Sequence, residues 1–163
     1  GQAGIPVGED GAPDIGAMVA RLEARVEAGD YTPQDISMLL RSYRALGRED
    51  EATAVLAKAR QAHPGDVGLM LAQAELLIGD PRPESVAEAE TVIAAALAAE
   101  PDLPEALWYR SLLLVRQGRT DAARAELDRL APRVAGNPQA AEAVRGLRAR
   151  LDLPPDHPAP PDR

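Results

Sequence analysis

Apolar residues recur three and four positions apart between residues 14 and 151, and alternating runs of β-branched residues are absent there. This spacing places apolar side chains on one face of a helix, whereas alternation would indicate strands. Residues 1–13 and 152–163 differ, because they are rich in Gly or Pro and have no apolar period. The pattern predicts one all-α domain over 14–151, between a disordered N-terminal segment (1–13) and a disordered Pro-rich tail (152–163).

Small and apolar positions within the helical part repeat with a period of about 34 residues. With Pro33 as position 1 of a unit, positions 7, 11, 15, 20, 24, 27 and 32 hold Leu39, Tyr43, Gly47, Ala52, Leu56, Ala59 and Pro64. These positions resemble the signature of the tetratricopeptide repeat, a pair of antiparallel helices that buries its apolar face by stacking on further helices.

Two further units follow the first. The second begins at Val67 and, after three extra residues near 79–83, continues through Ala89, Ile93, Ala96 and Pro101. The third begins at Pro104 and continues through Leu107, Leu114, Gly118, Ala123 and Leu127, after which the pattern decays. The extra residues fall between two helices, where the entropic cost of a longer loop is small.

Single helices are predicted on both sides of the three units. Asp14 is a suitable N-cap for the first, and Asn137 followed by Pro138 is a strong start signal for the last. The sequence therefore predicts eight helices in an all-α tetratricopeptide-repeat solenoid of about three helix pairs plus flanking N- and C-terminal helices.

Charge and composition exclude several kinds of partner. A net charge of −8 argues against nucleic acid, whose phosphates need a basic surface. The absence of Cys excludes disulfides and thiolate metal sites. The longest apolar run, 92–99, is far shorter than the roughly 20 residues of a membrane-spanning helix. Since the chain begins at Gly1 without Met, we expect it to be part of a longer protein, in which an anchor can precede it.

Catalytic and metal-binding motifs are also absent. The two histidines, His63 and His157, are far apart in sequence, and no phosphate-binding loop or nucleophile elbow occurs. Acidic pairs such as Glu23 and Glu27 are typical of the solvated face of an amphipathic helix. We therefore expect no enzyme activity, no cofactor and no metal.

A binding surface is predicted from the geometry of the repeat, whose first helices line a concave groove. Taken at the groove-facing positions, the candidate partner-binding residues are Met38, Arg41, Arg44, Leu71, Glu75, Ile78, Trp108, Tyr109, Leu112 and Arg116. Such a surface, apolar with basic spots, suits the apolar face of an amphipathic helix. Two alternatives stay open: Trp108 packs in the interior, and the arginines are solvated rather than anchors for carboxylates.

Three stretches carry a resemblance to a particular family: DIGAMVARLEARVEAGD, MLLRSYRALGREDEATAVLAKARQAHP and PDLPEALWYRSLLLVRQGRTDAARAELDRL. They resemble the periplasmic domain of the CcmI (CycH) family of cytochrome c biogenesis proteins, over about 14–151. The chain departs from the family pattern in the linker 29–32 and at Arg110 and Ser111.

The resemblance implies a function. The domain would lie in the periplasm, tethered to the inner membrane through an N-terminal anchor, and would bind the C-terminal helix of apocytochrome c for delivery to subunits of the haem-ligation complex. The absence of Cys suits a chaperone for a chain with a haem-binding C-x-x-C-H motif. The alternative is a tetratricopeptide scaffold for the assembly of another bacterial envelope complex.

Overall fold

The computed structural model describes Glu9, Gly11 and residues 14–153, and these contain eight α-helices. Their bounds are α1 (Ile15–Glu27), α2 (Pro33–Ala45), α3 (Glu49–Ala62), α4 (Val67–Gly79), α5 (Glu84–Ala99), α6 (Pro104–Arg116), α7 (Thr120–Val134) and α8 (Pro138–Leu151). The predicted tails lie outside the described residues, apart from Glu9, Gly11, Asp152 and Leu153. The three predicted units begin where α2, α4 and α6 begin.

Side-chain caps explain where several helices start. The Asp14 carboxylate accepts a hydrogen bond from the backbone N–H of Ala17 at 3.0 Å, and Asn137 Oδ1 accepts one from Ala140 at 3.1 Å. Thr32 and Asp35 form a reciprocal capping box around Pro33. Each cap satisfies a backbone donor that the first turn of a helix leaves without a partner.

Glycine and proline explain where helices end. Gly47 and Gly118 follow α2 and α6 with φ of 68° and 72°, a left-handed conformation that other residues adopt only with strain. Pro64 and Pro101 lie two residues beyond the ends of α3 and α5. The glycines and prolines of the repeat therefore lie at the helix ends that the sequence predicts.

The chain divides into two compact units, the first ending at Leu76 and the second beginning at Leu77. In unit 1, α2 packs against both α1 and α3. Its core consists mainly of aliphatic side chains with one buried tyrosine: Val19, Leu22, Val26, Ile36, Leu39, Leu40, Tyr43, Ala52, Leu56, Ala59 and Leu69. The predicted limits of a single domain, 14–151, stay a prediction.

In unit 2, α6 packs against both α5 and α7, and α8 packs against α7. Four alanines in this unit are fully buried: Ala89, Ala96, Ala106 and Ala123. Small side chains let neighbouring helices approach closely, which compensates for the absence of Phe from the chain. Ser111 is also fully buried, and its hydroxyl donates to the carbonyl of Leu107 at 2.9 Å.

None of the helices in the described part of the chain is long and apolar enough to cross a membrane.

Candidate partner-binding site

The ten predicted groove residues divide between the two units. In unit 1, Met38 is half-buried and packs against the core, while Arg41 is exposed. Arg44 Nη1 lies 2.7 Å from Glu75 Oε1, so these two predicted residues are brought together as an ion pair. Of the two predicted arginines here, Arg44 is already neutralised by a carboxylate, and Arg41 is the better placed to meet a ligand.

Leu71 does not contribute to an exposed surface, because only 7% of it is accessible. Its neighbours Leu69 and Met70 are buried as well. Three consecutive buried residues cannot lie on one narrow stripe of a helix, so α4 is enclosed on more than one side. The expectation that Leu71 adds apolar area to a groove was wrong, since the repeat position alone does not reveal how completely a helix is surrounded.

Unit 2 holds the other five predicted residues, and Arg116 among them has a structural role. Its guanidinium donates to the carbonyls of Leu77 and Ile78 at 3.3 and 3.2 Å, and to that of Arg82 at 3.1 Å. The first two carbonyls belong to the last turn of α4, which lacks helical partners for them. Arg116 therefore caps the end of α4 and holds the insertion that follows it.

Trp108 lines an open pocket of about 440 Å³ in unit 2. The pocket lies where α6 and α8 both pack against α7 but, among the described residues, not against each other. Its walls are mostly apolar and come from all three helices and the turn before α8: Pro104, Glu105, Trp108, Leu130, Arg133, Val134, Asn137, Ala140, Ala143 and Val144. We call this the Trp108 pocket.

Local sequence explains the shape of the Trp108 pocket. Pro104 starts α6 and places Trp108 one turn later, where the indole is half-buried. On the opposite wall, Ala140 and Ala143 present methyl groups only, and the Asn137 cap fixes where α8 begins. A large side chain facing small ones leaves a concave apolar surface at the gap.

The rim of the Trp108 pocket is polar. Arg133 Nη2 lies 2.6 Å from Asp102 Oδ1, and Arg133 Nη1 donates to the carbonyl of Arg129 at 2.6 Å. Glu105 at the start of α6 is exposed. An apolar centre with a charged rim is the usual anatomy of a protein–protein interface.

The residues of α8 that form one wall of the Trp108 pocket were not among the residues predicted from the sequence. Pro138 lies 34 residues after Pro104, so α8 occupies the place of the first helix of a further unit. That spacing could have revealed Ala140, Ala143 and Val144. Of the remaining predicted residues, Ile78, Tyr109 and Leu112 are half-buried but do not line the Trp108 pocket.

A network of hydrogen-bonded and charged side chains in unit 1 is structural. The buried Tyr43 hydroxyl donates to Glu23 Oε1 at 2.6 Å, Arg48 Nη2 donates to the same oxygen at 2.9 Å, and the Arg48 guanidinium lies 4.7 Å from the centroid of the Tyr43 ring. Burial, followed by the hydrogen bond to Glu23, raises the pKa of Tyr43 well above its ordinary value. This network joins α1, α2 and the turn before α3.

Groups that could hold a metal are absent from the part of the chain that the structure describes, where no three His, Asp or Glu side chains converge. His63 is exposed at the end of α3, and its ring meets that of Tyr31 edge to face at 5.8 Å between centroids.

Comparison with known proteins bears on the fold. Residues 33–76 match the family model of the tetratricopeptide repeat. A solved structure described as a thermophilic TPR protein from Thermus thermophilus is similar, with a TM-score of 0.65 and 19% identity, over 84% of this chain and 72% of that chain. No curated protein matches the chain.

The predicted fold class, all-α with tetratricopeptide-type helix pairs, is confirmed. Domains of this type generally bind protein partners and are typically non-catalytic. With helices at the repeat positions, a match of residues 33–76 to the repeat model and a solved protein of similar structure, the chain contains a tetratricopeptide repeat and has an all-helical fold of the tetratricopeptide type.

Proposed function

We propose that this chain is a non-enzymatic, peptide-binding chaperone in c-type cytochrome maturation. It holds the C-terminal helix of apocytochrome c at the Trp108 pocket and delivers it to the haem-ligation complex. The observation that supports binding here is the half-buried Trp108, which lines the open, mostly apolar pocket formed by α6, α7 and α8.

The Trp108 pocket suits one or two apolar side chains of an amphipathic helix. Its volume of about 440 Å³ falls within the range of about 300–1,000 Å³ that is usual for pockets that enclose ligand groups. Tryptophan is enriched among residues that dominate interface energetics, because its large rigid ring loses little entropy on binding. A helix that inserts side chains spaced three and four apart would cover the indole and the alanines of α8 together.

The identity of the guest rests on the resemblance to the CcmI family. The same resemblance supports a periplasmic location and a membrane anchor outside this chain. The absence of Cys agrees with this role, because a thiol near a guest that carries C-x-x-C-H would risk mixed disulfides.

Isothermal titration calorimetry with a synthetic peptide of a bacterial apocytochrome c C-terminal helix tests the proposal. We expect saturable binding in a 1:1 ratio, and much weaker binding of a scrambled peptide of the same composition. Trp108→Ala should weaken binding by about 2 kcal/mol, or roughly 30-fold, if the indole is an anchor.

A matched pair of variants separates the pocket from a general effect of charge. Ala143→Arg places a long side chain on the α8 wall of the Trp108 pocket, at an exposed position where the free energy of unfolding should change by less than about 0.5 kcal/mol. Ala98→Arg makes the same change at an exposed alanine of α5 that lines neither this pocket nor the cleft described below. Only Ala143→Arg should abolish peptide binding.

Three results would contradict the proposal. Equal affinity for the helical and the scrambled peptide would remove the cytochrome role. Binding that survives both Trp108→Ala and Ala143→Arg would place the guest elsewhere on the molecule. Indifference to the peptide, combined with stable co-purification with envelope proteins, would favour the scaffold role instead.

A further inference from the structure

A second cleft, of about 370 Å³, lies between α5, α6 and α7 in unit 2 and shares no lining residue with the Trp108 pocket. Ile93 and Leu113 supply apolar surface. The polar part of the lining contains two acids, two arginines and one amide: Glu90, Glu126, Arg110, Arg119 and Gln117. The cleft therefore combines apolar surface with a dense set of polar groups.

Gln117 presents an acceptor that no group in the described structure uses. Its Nε2 donates to Glu90 Oε1 at 2.7 Å, while its Oε1 is buried without a hydrogen-bond partner. Reversing the amide would set two acceptor oxygens against each other, so the contact with Glu90 fixes which atom is oxygen. Gln117 Oε1 is therefore available only to a donor.

Glu126 presents a second such acceptor. The residue is 7% exposed, and its Oε1 lies 3.3 Å from Arg129 Nη1 and 3.8 Å from Arg110 Nε. Its Oε2 is buried and has no hydrogen-bond partner within the described residues. A buried carboxylate oxygen in this state is unfavourable, and a donor that reached it would relieve the cost.

We propose that this cleft binds a cationic N–H donor, namely the guanidinium or ammonium group of a basic side chain on a partner polypeptide. Both unused atoms are acceptors, and these two groups offer several donors and no acceptor. A cation also forms a charge-assisted hydrogen bond with Glu126. The net charge of −8 attracts cations to the chain as a whole.

Titration of the protein with N-acetyl-arginine amide and, separately, N-acetyl-lysine amide, followed by ¹H–¹⁵N NMR, tests this inference. The side-chain NH₂ signals of Gln117 report directly on the cleft. We expect saturable shifts at Gln117 and at the backbone of α7 near Glu126, and the tighter of the two compounds identifies the preferred donor. N-acetyl-glutamine amide, a neutral donor, should bind at least about tenfold more weakly.

Variants locate the binding. Glu126→Gln keeps the shape of the side chain but removes its charge, and should weaken binding of the arginine compound by about tenfold or more. Gln117→Met removes the other acceptor and should also weaken binding. Glu142→Gln is the control, because Glu142 is exposed on α8, where it pairs with Arg145 at 2.6 Å and lines neither cavity. This variant should bind like the parent protein.

Three outcomes would overturn the proposal: no saturable shifts with either cation, equal binding of the neutral amide, or unchanged affinity in both Glu126→Gln and Gln117→Met. In the first case the two oxygens are merely hydrated. The site is independent of the proposed role in cytochrome maturation, because none of its residues lines the Trp108 pocket. If the cleft does not bind cations, the proposed role in cytochrome maturation is unaffected. If the Trp108 pocket does not bind the peptide, the proposed cation site is unaffected.

Discussion

Replacing Tyr43 with Phe removes one hydroxyl from the network that joins α1 and α2. Phe keeps the ring, which is 4% exposed, and keeps the face that Arg48 covers at 4.7 Å. What is lost is the 2.6 Å hydrogen bond to Glu23. The substitution therefore isolates one charge-assisted hydrogen bond without opening a cavity.

The magnitude follows from the environment of the acceptor. Hydrogen bonds to charged groups contribute about 1.5–3 kcal/mol. The Glu23 side chain is 37% exposed and keeps Arg48 at 2.9 Å, so water and the guanidinium can replace the hydroxyl in part. We expect Tyr43→Phe to lower the free energy of unfolding by about 1 kcal/mol, below that range.

The assay is urea unfolding at 25 °C followed by circular dichroism at 222 nm, for the parent protein, Tyr43→Phe, Glu23→Gln and the double variant. The loss caused by Tyr43→Phe should shrink in the Glu23→Gln background, because the charged acceptor is gone. An equal loss in both backgrounds, or no loss in either, would refute the hydrogen bond as a source of stability.

The pH dependence of the same variant provides a second test of the network. The folded-state pKa of Tyr43 is raised, so its contribution to stability is complete below the unfolded value of about 10 and is lost as the pH rises towards the folded value. The urea midpoint of the parent protein should therefore fall more steeply above about pH 10 than that of Tyr43→Phe. Parallel curves would contradict the assignment.

Three further predictions concern unit 2. The hydrogen bonds from Arg82 lower the pKa of Asp80, so ionised Asp80 stabilises the fold above its unfolded pKa of about 4. Melting temperatures measured at several pH values should therefore fall less steeply in acid for Asp80→Asn than for the parent protein. Ser111→Leu should lower the free energy of unfolding in urea by about 1–3 kcal/mol, because the fully buried site has no room for a larger side chain. Ser111→Ala should leave the free energy of unfolding nearly unchanged. Equal effects of the two substitutions would show that side-chain volume does not limit this site. Gly118→Ala should lower the free energy of unfolding by about 1 kcal/mol, because the φ of Gly118 is 72°. Gly146→Ala should raise the free energy of unfolding by about 0.5–1 kcal/mol, because Gly146 lies inside α8 with open space where a Cβ would lie. Changes of the same sign in the two variants would contradict the backbone argument.

Helix positions could be predicted because their signals are local. Pro33, Pro104 and Pro138 start helices, and Gly47 and Gly118 follow the ends of helices, for reasons that involve only a few neighbouring residues. Such features are present in the sequence itself, so the repeat period placed α2, α4 and α6 correctly.

Side-chain partners and burial could not be predicted in the same way. Arg44 and Arg116 read as basic spots on a groove, yet one pairs with Glu75 and the other caps α4. These contacts join residues 31 to 39 positions apart, and long flexible side chains reach them only once the helices are packed. The burial of Glu126 could not be predicted for the same reason: it depends on which helices pack against α7.

Trp108 can report on the binding of an amphipathic helix at the Trp108 pocket, because it is the only Trp in the chain. The most direct measurement is its fluorescence emission during titration with the C-terminal helix peptide of apocytochrome c. We predict a saturable shift of the emission to shorter wavelength, with the same midpoint as the calorimetric titration, as the peptide removes water from the indole. Calorimetric binding without any change in Trp108 emission would contradict binding at the Trp108 pocket.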